Sequence, residues 1–203
     1  MSDLTTRRVA QHGTEAWFAA RRGGVSATAV ANASTPAGFR EEVLKALYPE
    51  EYQVQDNDYM AFGRDWEAWI IDNIPASFNI EHNDWLIHAD GHKWQLATPD
   101  GISRDGKTIA EVKTTGKDWN TIPLRYIRQV QWQLYVTGAD RCIVAWLLRV
   151  ESAGELFPGW FEPKYRIVER DETMIAELIA IAERLQMECV HQAELDERMA
   201  VNG

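Results

Sequence analysis

Cysteine is scarce in this sequence, and long apolar runs are missing. Cys142 and Cys189 are the only cysteines among 203 residues, and they are far apart. Two such thiols exclude a disulfide framework and any metal cluster held by several cysteines of one chain. No apolar run approaches the roughly 20 residues that a membrane helix needs, and the first residues lack the apolar stretch of a secretory signal. We therefore expect a cytoplasmic protein without a membrane partner.

An excess of positive charge is also missing. The chain has 21 Lys and Arg against 31 Asp and Glu, which gives a net charge of −10. Non-specific DNA-binding proteins are usually basic, because neutralising phosphates supplies much of their affinity. Charge alone therefore does not suggest a nucleic-acid partner. A DNA-binding protein of this composition would need its Arg and Lys concentrated along one concave surface.

The length and composition fit one folded domain. Hydrophobic residues make up 45% of the chain, close to the globular average, and no repeat or linker interrupts it. We treat residues 1–203 as a single α/β domain. It has an N-terminal helical part (14–75), a sheet-and-helix part (84–150) and a C-terminal amphipathic helix (171–199).

Apolar residues keep helical spacing in the first part. Thr14 is placed to cap a helix, and a second short helix ends before Pro49. A third helix runs from Asp58 to Ile74 and ends at Pro75. Its spacing rests on Met60, Phe62, Trp66, Trp69, Ile70 and Ile74.

The middle part changes to short β-rich segments. Strands are predicted at 84–88, 92–98, 108–114, 142–150 and 165–168, with turns at 89–91 and 104–106. A helix from Pro123 to about Thr137, stopped by Gly138, separates the third strand from the fourth. The expected architecture is a mixed central β-sheet flanked by helices.

Two carboxylates and a lysine in the middle part form a pattern with chemical meaning. Asp100 precedes a glycine, and Glu111 and Lys113 are two residues apart on the following strand. Side chains alternate along a strand, so Glu111 and Lys113 share one face while Val112 points into the core. The intervening turn predicts a hairpin that brings Asp100 near Glu111.

These residue types suit metal-dependent hydrolysis of phosphodiesters. Mg²⁺ prefers hard oxygen ligands, which the carboxylates of Asp100 and Glu111 and the backbone carbonyl of Val112 supply. Lys113 beside them can orient a water and stabilise charge growing on a phosphate. Asp-Gly turns and alternating Glu and Lys also occur on ordinary solvated strands, so the neighbouring residues have to discriminate between a nuclease and a plain surface.

The surroundings favour the chemical interpretation. Gln131 and Tyr135 are four residues apart on one face of the predicted helix, and Gln129 is nearby. Glu67 lies in the middle of an aromatic-rich helix, where an exposed charge on an amphipathic helix is the alternative explanation. Trp119, in the loop after the catalytic strand, is the aromatic residue best placed to stack on DNA.

Four sequence blocks carry a resemblance to a known family. They are WFAARRGGVSATAV, FGRDWEAWI, the pair TPDG and EVKTT, and YIRQVQWQLYVTG, and they span about residues 17 to 138 in order. The chain resembles the PD-(D/E)XK nuclease superfamily and, within it, the lambda exonuclease and YqaJ-like viral recombinases. The resemblance implies a restriction-endonuclease-like core. It also implies a Mg²⁺-dependent 5′→3′ exonuclease that degrades one strand of linear duplex DNA and leaves 3′ overhangs for recombination.

The resemblance also implies roles for individual residues. Asp100 and Glu111 would be metal ligands for one or two Mg²⁺ ions, which Mn²⁺ may replace, and Lys113 would be the catalytic lysine. Glu67 would be the helix carboxylate that supports the metal site. The Gln-x-x-x-Tyr element of the superfamily would be Gln131 and Tyr135, with Gln129 as the alternative glutamine.

The first block implies a site for the 5′-phosphate. Arg21 and Thr28 match an arginine and a hydroxyl residue that bind this phosphate in lambda exonuclease-like enzymes. Ser26 lies two residues before Thr28, and either hydroxyl could serve. A solvated helix end is the alternative explanation for Arg21 and its neighbour Arg22.

The resemblance further implies partners and leaves rival functions open. It suggests a ring-shaped homotrimer on double-stranded DNA ends, a single-strand annealing protein as partner, and a bacterial, phage or prophage origin.

The first rival function is that of another nuclease of the superfamily, such as a RecB-like or CRISPR-associated enzyme or an endonuclease. The iron–sulphur subset is disfavoured by the two cysteines. A catalytically silent DNA-binding module is the second rival. A general hydrolase with paired carboxylates is the third, and it lacks a nucleotide-cradling glycine loop.

Overall fold

The computed structural model describes residues 3–52 and 55–202 of the chain. Helices predominate in the first third, with short strands near its beginning. They are β1 (Arg8–Gln11), α1 (Glu15–Arg22), β2 (Val25–Ser26), α2 (Ala27–Ala33), α3 (Pro36–Leu47) and α4 (Asp58–Asp72). Each helix begins after a residue whose side chain accepts a backbone N–H of the first turn, and this satisfies a donor that the helix itself leaves free. These capping residues are Thr14, Ser26, Thr35 and Asn57.

The remaining elements build the sheets and their cover. The middle of the chain contains β3 (Ile80–His82), β4 (Trp85–Ala89), β5 (His92–Ala97), β6 (Gly101–Ser103) and β7 (Thr108–Thr115). The last third contains α5 (Leu124–Thr137), β8 (Arg141–Ser152), β9 (Glu155–Pro158), β10 (Lys164–Glu169) and α6 (Glu172–Asn202). Within these residues, no helix combines the length and the apolar character that a bilayer span requires.

The strands form two sheets. The larger has the order β10-β8-β7-β6-β3, with β9 paired to β8, and the smaller has the order β1-β4-β5-β2. In the larger sheet β7 is central, antiparallel to β6 and parallel to β8. The sheet is therefore mixed, as the sequence predicted.

Strand β7 is covered on both faces. Ala110 and Val112 pack with Phe62 and Ile70 of α4 on one side. On the other side, Ile109 packs against α5. Both faces are therefore in the interior, so polar side chains on β7 are buried as well and need partners.

The last backbone carbonyls of helix α5 have hydrogen-bond donors. Gly138 adopts a left-handed conformation (φ 78°), and its N–H donates to the carbonyl of Leu134. The buried guanidinium of Arg7 donates to the carbonyls of Val136 and Thr137, and to that of His88 on the smaller sheet. Arg7 thus connects the end of α5 to the smaller sheet.

The predicted long elements agree with the structure to within a few residues. The exceptions are short elements that the sequence analysis did not predict: β1, β2, β3, β6, β9 and α2. Strands of two to four residues are too short for an alternating pattern to be recognised. Helix α2 is rich in alanine, so its apolar residues do not define one face.

Candidate active site

The β6–β7 hairpin brings Asp100 beside Glu111. The N–H of Asp100 donates to the carbonyl of Ala110 at 3.0 Å, and the N–H of Val112 donates to Oδ2 of Asp100 at 2.6 Å. Gly101 follows Asp100 because the backbone is crowded there: a Cβ at this position would lie 2.6 Å from Cγ2 of Ile80. The juxtaposition that the hairpin pattern predicted is therefore present.

Glu111 is a buried carboxylate with several donors. It is 2% exposed. Its Oε1 accepts from Lys113 Nζ at 2.5 Å and from Gln129 Nε2 at 2.6 Å, and its Oε2 accepts from Gln133 Nε2 at 2.6 Å. A buried carboxylate requires such partners, and together they fix the plane of the group.

Lys113 is the cation of the site. Besides its ion pair with Glu111, its Nζ lies 5.1 Å from the centre of the Tyr126 ring. Burial alone lowers the pKa of Lys113, but the charges of Glu111 and Asp100 outweigh burial, so the pKa is raised above its ordinary value. Lys113 is therefore charged at neutral pH, which suits electrostatic stabilisation rather than removal of a proton.

Asp100 lies in an excess of negative charge. Burial raises its pKa well above the ordinary value, and the charges of Glu111 and Glu67 raise it further. Lys113 and the Val112 N–H oppose this shift without cancelling it. A protein that must keep Asp100 ionised needs a further positive charge beside it.

The donor set fits a hard divalent cation. The carboxylates of Asp100 and Glu111, with the carbonyl of Val112 directly after Glu111 in the chain, are oxygen ligands of the kind Mg²⁺ prefers. Among residues 3–52 and 55–202, no three His, Cys, Asp or Glu side chains form a preassembled metal cluster. A cation here would therefore use Asp100, Glu111 and a backbone oxygen rather than a cage of three side chains.

Glu67 faces the same region from α4. Its Oε1 lies 3.1 Å from Nε2 of His82, whose Nδ1 lies 3.3 Å from Oδ1 of Asp84. Glu67 and Asp100 line one cavity of about 390 Å³. Glu67 thus lies on the side of the site where Asp100 is, and His82 is a neighbour that was not predicted from the sequence.

The cavity beside Asp100 also contains Arg21. Its guanidinium stacks on the Trp17 ring at 4.4 Å. Burial lowers the pKa of Arg21, opposed by the charge of Glu42. Among the described residues, Trp17 Nε1 and Thr98 Oγ1 are buried without a hydrogen-bond partner, and both residues line this cavity. Both atoms are closed off from solvent, so the half-buried Arg21 is the residue of the stacked Arg21–Trp17 pair that offers an anion a positive charge in the cavity.

The two candidate hydroxyls have different surroundings. Ser26 Oγ accepts the N–H of Ala29 at 3.3 Å and so caps α2. Ser26 and Arg21 line a second cavity of about 740 Å³. Thr28 is exposed in the first turn of α2. Ser26 therefore shares a cavity with Arg21 but has a structural role as well.

Gln131 and Tyr135 lie away from the carboxylates. Gln131 donates to the carbonyl of Glu169 and accepts from the N–H of Asp171, while Tyr135 donates to Gln95. The helix glutamines at Glu111 are Gln129, the alternative considered from the sequence, and Gln133, which the sequence analysis missed. These two are also four residues apart, so the signal was present on a different face of α5.

Trp119 is packed rather than free. Its ring lies 5.1 Å from that of Tyr126 and 5.4 Å from that of Trp146. It therefore supports the region beside Lys113, and only part of its surface can reach a ligand.

Known proteins resemble this chain in sequence and in fold. A family model described as the YqaJ-like viral recombinase domain matches residues 16–140. No curated protein sequence matches. The alkaline exonuclease LHK-Exo in complex with dAMP superposes with a TM-score of 0.74 and 24% identity, over 93% of this chain and 99% of that chain.

Two further crystal structures are similar. LHK-Exo from Laribacter hongkongensis gives a TM-score of 0.72 at 24% identity, with 93% and 99% of the two chains covered. A phage-related exonuclease from Haemophilus somnus 129PT gives 0.65 at 14% identity, covering 87% of this chain and 96% of that one. These likenesses confirm the predicted PD-(D/E)XK-like fold.

Proposed function

Because this chain belongs to the YqaJ-like viral recombinase family of nucleases, we propose that it is a magnesium-dependent exonuclease. It would degrade one strand of linear double-stranded DNA in the 5′→3′ direction and leave 3′ overhangs for phage-type recombination. The observation that carries the proposal is the buried Glu111 carboxylate, paired with Lys113 and placed beside Asp100 on one hairpin.

The residues of the site have complementary tasks in phosphodiester hydrolysis. Asp100, Glu111 and the Val112 carbonyl would hold one or two Mg²⁺ ions, for which Mn²⁺ can substitute, and Glu67 would support them from α4. The ion would supply Lewis-acid activation of the phosphate. Lys113 orients the attacking water and stabilises the negative charge that develops on the phosphate oxygens. Gln129 and Gln133 keep the Glu111 carboxylate in one orientation.

The cavity around Arg21 is proposed to hold the terminal 5′-phosphate. This role is supported by the position of Arg21, which stacks on Trp17 and lines one cavity with Asp100. Ser26 is the preferred hydroxyl because it shares a cavity with Arg21, with Thr28 as the alternative. The relative LHK-Exo was crystallised with dAMP, a nucleoside monophosphate.

Other assignments also belong to this proposal. Gln129 takes the role first considered for Gln131, and Tyr135 supports the fold through Gln95. A cytoplasmic homotrimer on DNA ends, a phage or prophage origin and a single-strand annealing partner remain proposals by analogy. One domain over residues 1–203 is proposed as well. An endonuclease or RecB-like enzyme is the second candidate, since the same carboxylate and lysine set would serve either reaction.

The test is digestion of 5′-phosphorylated linear duplex and closed-circular DNA with Mg²⁺. We expect loss of the linear DNA alone, abolished by EDTA. Lys113→Ala should reduce the rate by about 100-fold or more. Lys107→Ala, at an exposed lysine outside the site, is the matched control, and melting curves establish that both variants fold.

Each outcome of the digestion discriminates between candidates. Cleavage of circles would replace the exonuclease by an endonuclease. Folded protein that leaves every substrate intact with Mg²⁺ and with Mn²⁺ would favour a silent DNA-binding module. Release of 3′-terminal nucleotides first would reverse the proposed polarity.

A further inference from the structure

Three residues of neighbouring strands lie in one row that begins at Lys113. In the parallel pair β7–β8, Lys113 is opposite Trp146, and in the antiparallel pair β8–β10, Trp146 is opposite Lys164. Residues directly opposite each other point to the same face of a sheet. Lys113 and Lys164 are therefore two strands apart on one face, about 10 Å at the usual strand spacing.

Aromatic rings connect the two lysines along this face. From Tyr126 beside Lys113, ring contacts of 5.1 and 5.4 Å lead through Trp119 to the buried Trp146. At the far end, Lys164 Nζ lies 4.1 Å from the Trp160 ring centre. We name Tyr126, Trp119, Trp160 and Phe161 the aromatic strip.

Asp118, the residue before Trp119, forms hydrogen bonds with two residues of the sheet. Its Oδ1 accepts from Trp146 Nε1 at 3.3 Å, and its Oδ2 accepts from Lys164 Nζ at 2.5 Å. The loop after the catalytic strand is thereby connected to β10. The rings of the strip lie on two loops and on α5, and Asp118 connects the first loop to Trp146 and Lys164 of the sheet.

Phe161 directly follows Trp160 in the chain and is 96% exposed. The loop that carries it is anchored, because the N–H of Gly159 donates to the carbonyl of Leu148 at 2.6 Å. A Cβ at Gly159 would lie 2.7 Å from Cδ2 of Leu148, so the backbone approaches the sheet closely. An exposed phenyl ring on an anchored loop has no packing task inside the chain.

The charges around the strip favour a polyanion. Lys117, Arg125 and Arg166 are exposed on the loop, on α5 and on β10 around it, while Glu162 is the acidic residue next to Phe161. Lys164 is already paired with Asp118. Aromatic rings interleaved with basic side chains are the usual surface for single-stranded nucleic acid, since every base has a face that can stack.

We propose that the aromatic strip binds single-stranded DNA next to the active site, with Phe161 and Trp160 stacking on its bases. This inference rests on the proposed function for its substrate and adds a second contact region to it. It places single-stranded DNA on the side of Lys113 away from the Arg21 cavity, because Arg21 and Glu67 line the cavity on the Asp100 side.

The experiment measures DNA binding separately from cleavage. Fluorescein-labelled oligothymidylate of about 16 nucleotides is titrated with the full-length protein in EDTA. Phe161→Ala is compared with Met187→Ala, which removes a hydrophobic side chain that is 65% exposed on α6. We expect Phe161→Ala to weaken binding by about 5- to 100-fold, the loss of one stacked base, and Met187→Ala to leave it unchanged. Hydrolysis of thymidine 5′-(p-nitrophenyl phosphate) with Mg²⁺ should be equal in wild type and Met187→Ala, which checks that the control variant retains its active site.

Contrary outcomes separate this inference from the proposed function. Equal affinity of Phe161→Ala and wild type would overturn the strip and leave the nuclease untouched. A lower mass of Phe161→Ala in solution, with or without lost affinity, would assign the ring to contacts between copies and overturn it too. Wild type that binds the oligonucleotide through Phe161 but cleaves no DNA would preserve the strip and overturn the nuclease.

Discussion

Gln133 donates a hydrogen bond to Oε2 of Glu111 at 2.6 Å, and the two side chains are 1% and 2% exposed. Gln129 binds the other oxygen of the same carboxylate. Glu111 is therefore held from α5 at both oxygens. This relationship makes the helix part of the site, although neither glutamine has an acid, a base or a charge to contribute.

Gln129 and Gln133 should therefore affect the nuclease rate, whereas Gln131, on another face of the same helix, should not. We expect Gln129→Ala and Gln133→Ala to lose about 10- to 100-fold in nuclease rate, the usual effect of removing a residue that orients a metal ligand. Gln131→Ala should retain the rate and lose about 1–3 kcal/mol of stability, because it leaves a carbonyl and an N–H without their partner. Initial rates measure the nuclease activity of the three variants, and urea unfolding measures their stability. The assignment of Gln129 fails if Gln131→Ala shows the greater loss of rate.

Asp100 should make stability depend on pH. Its pKa is raised above 3.8 in the folded chain by burial and by the charges of Glu111 and Glu67. The contribution of Asp100 to stability is therefore fully present below pH 3.8, and it is lost as the pH rises through the pKa of the folded protein. Without metal, Asp100→Asn should melt higher than wild type at neutral pH, and this advantage should vanish toward pH 3.8.

Asp105→Asn is a control of opposite sign. The pKa of Asp105 is lowered by hydrogen bonds from Ser103 and the Lys107 N–H. Asp105 therefore stabilises the fold above its ordinary pKa, and its contribution is lost as the pH falls through the lowered value. Asp105→Asn should melt lower than wild type at neutral pH. If both variants shifted in the same direction, burial of Asp100 would not explain the result.

Mg²⁺ should stabilise the folded wild type. A ligand that binds only the native state adds about 2.7 kcal/mol at 100 times its dissociation constant. We expect the melting temperature to rise with Mg²⁺ and to return with EDTA, while Asp100→Asn responds weakly. Calorimetric scans across a Mg²⁺ series would show this. An equal response in both proteins would place the ion elsewhere.

Arg21 should set the preference for phosphorylated ends. With 5′-phosphate and 5′-hydroxyl duplexes, we expect Arg21→Gln to reduce the rate ratio by about 10-fold or more, because one charge-assisted contact is lost. Arg22→Gln, at the exposed neighbour, should preserve the ratio. Ser26→Ala and Thr28→Ala then identify the hydroxyl, and we expect the larger change with Ser26. A ratio unaffected by Arg21→Gln would remove the phosphate from this cavity.

Arg7 should be a determinant of stability rather than of catalysis. It is 3% exposed and donates to three carbonyls. Arg7→Met keeps the apolar stem but leaves those carbonyls unsatisfied, and we expect a loss of about 3 kcal/mol. Arg8→Met removes an exposed arginine stacked on Trp85 and should lose less than about 1 kcal/mol. Urea unfolding compares the two, and equal losses would contradict the capping role.

Periodicity was sufficient to predict the longer elements, among them α4, α5 and β7, which carry much of the site. Apolar residues recur with helical spacing in α4, α5 and α6 and alternate along β7. The sequence therefore predicts which face of each element is buried. The hairpin that brings Asp100 near Glu111 was predicted from the turn at 104–106 and the strand after it, although β6 itself was not predicted. The family was predicted correctly from four ordered blocks, and the matching model covers residues 16–140.

Only the structure shows which face of α5 contacts Glu111. Gln129 with Gln133, and Gln131 with Tyr135, have the same spacing, so sequence alone cannot say which pair faces Glu111. Packing decides it: the polar row of Gln129 and Gln133 faces β7, while Gln131 reaches the junction of β10 and α6. The role of His82 beside Glu67 depends on β3, which is too short for a pattern to reveal.

The central position of β7 has a consequence for how the enzyme becomes active during synthesis. Asp100, Glu111 and Lys113 leave the ribosome before β8, which supplies the other neighbour of β7 along its whole length. Parallel pairing across a helical connection brings together residues distant in sequence and forms slowly. An unfinished chain therefore lacks a rigid catalytic hairpin. Nuclease activity should therefore require that β8 has been synthesised and has paired with β7.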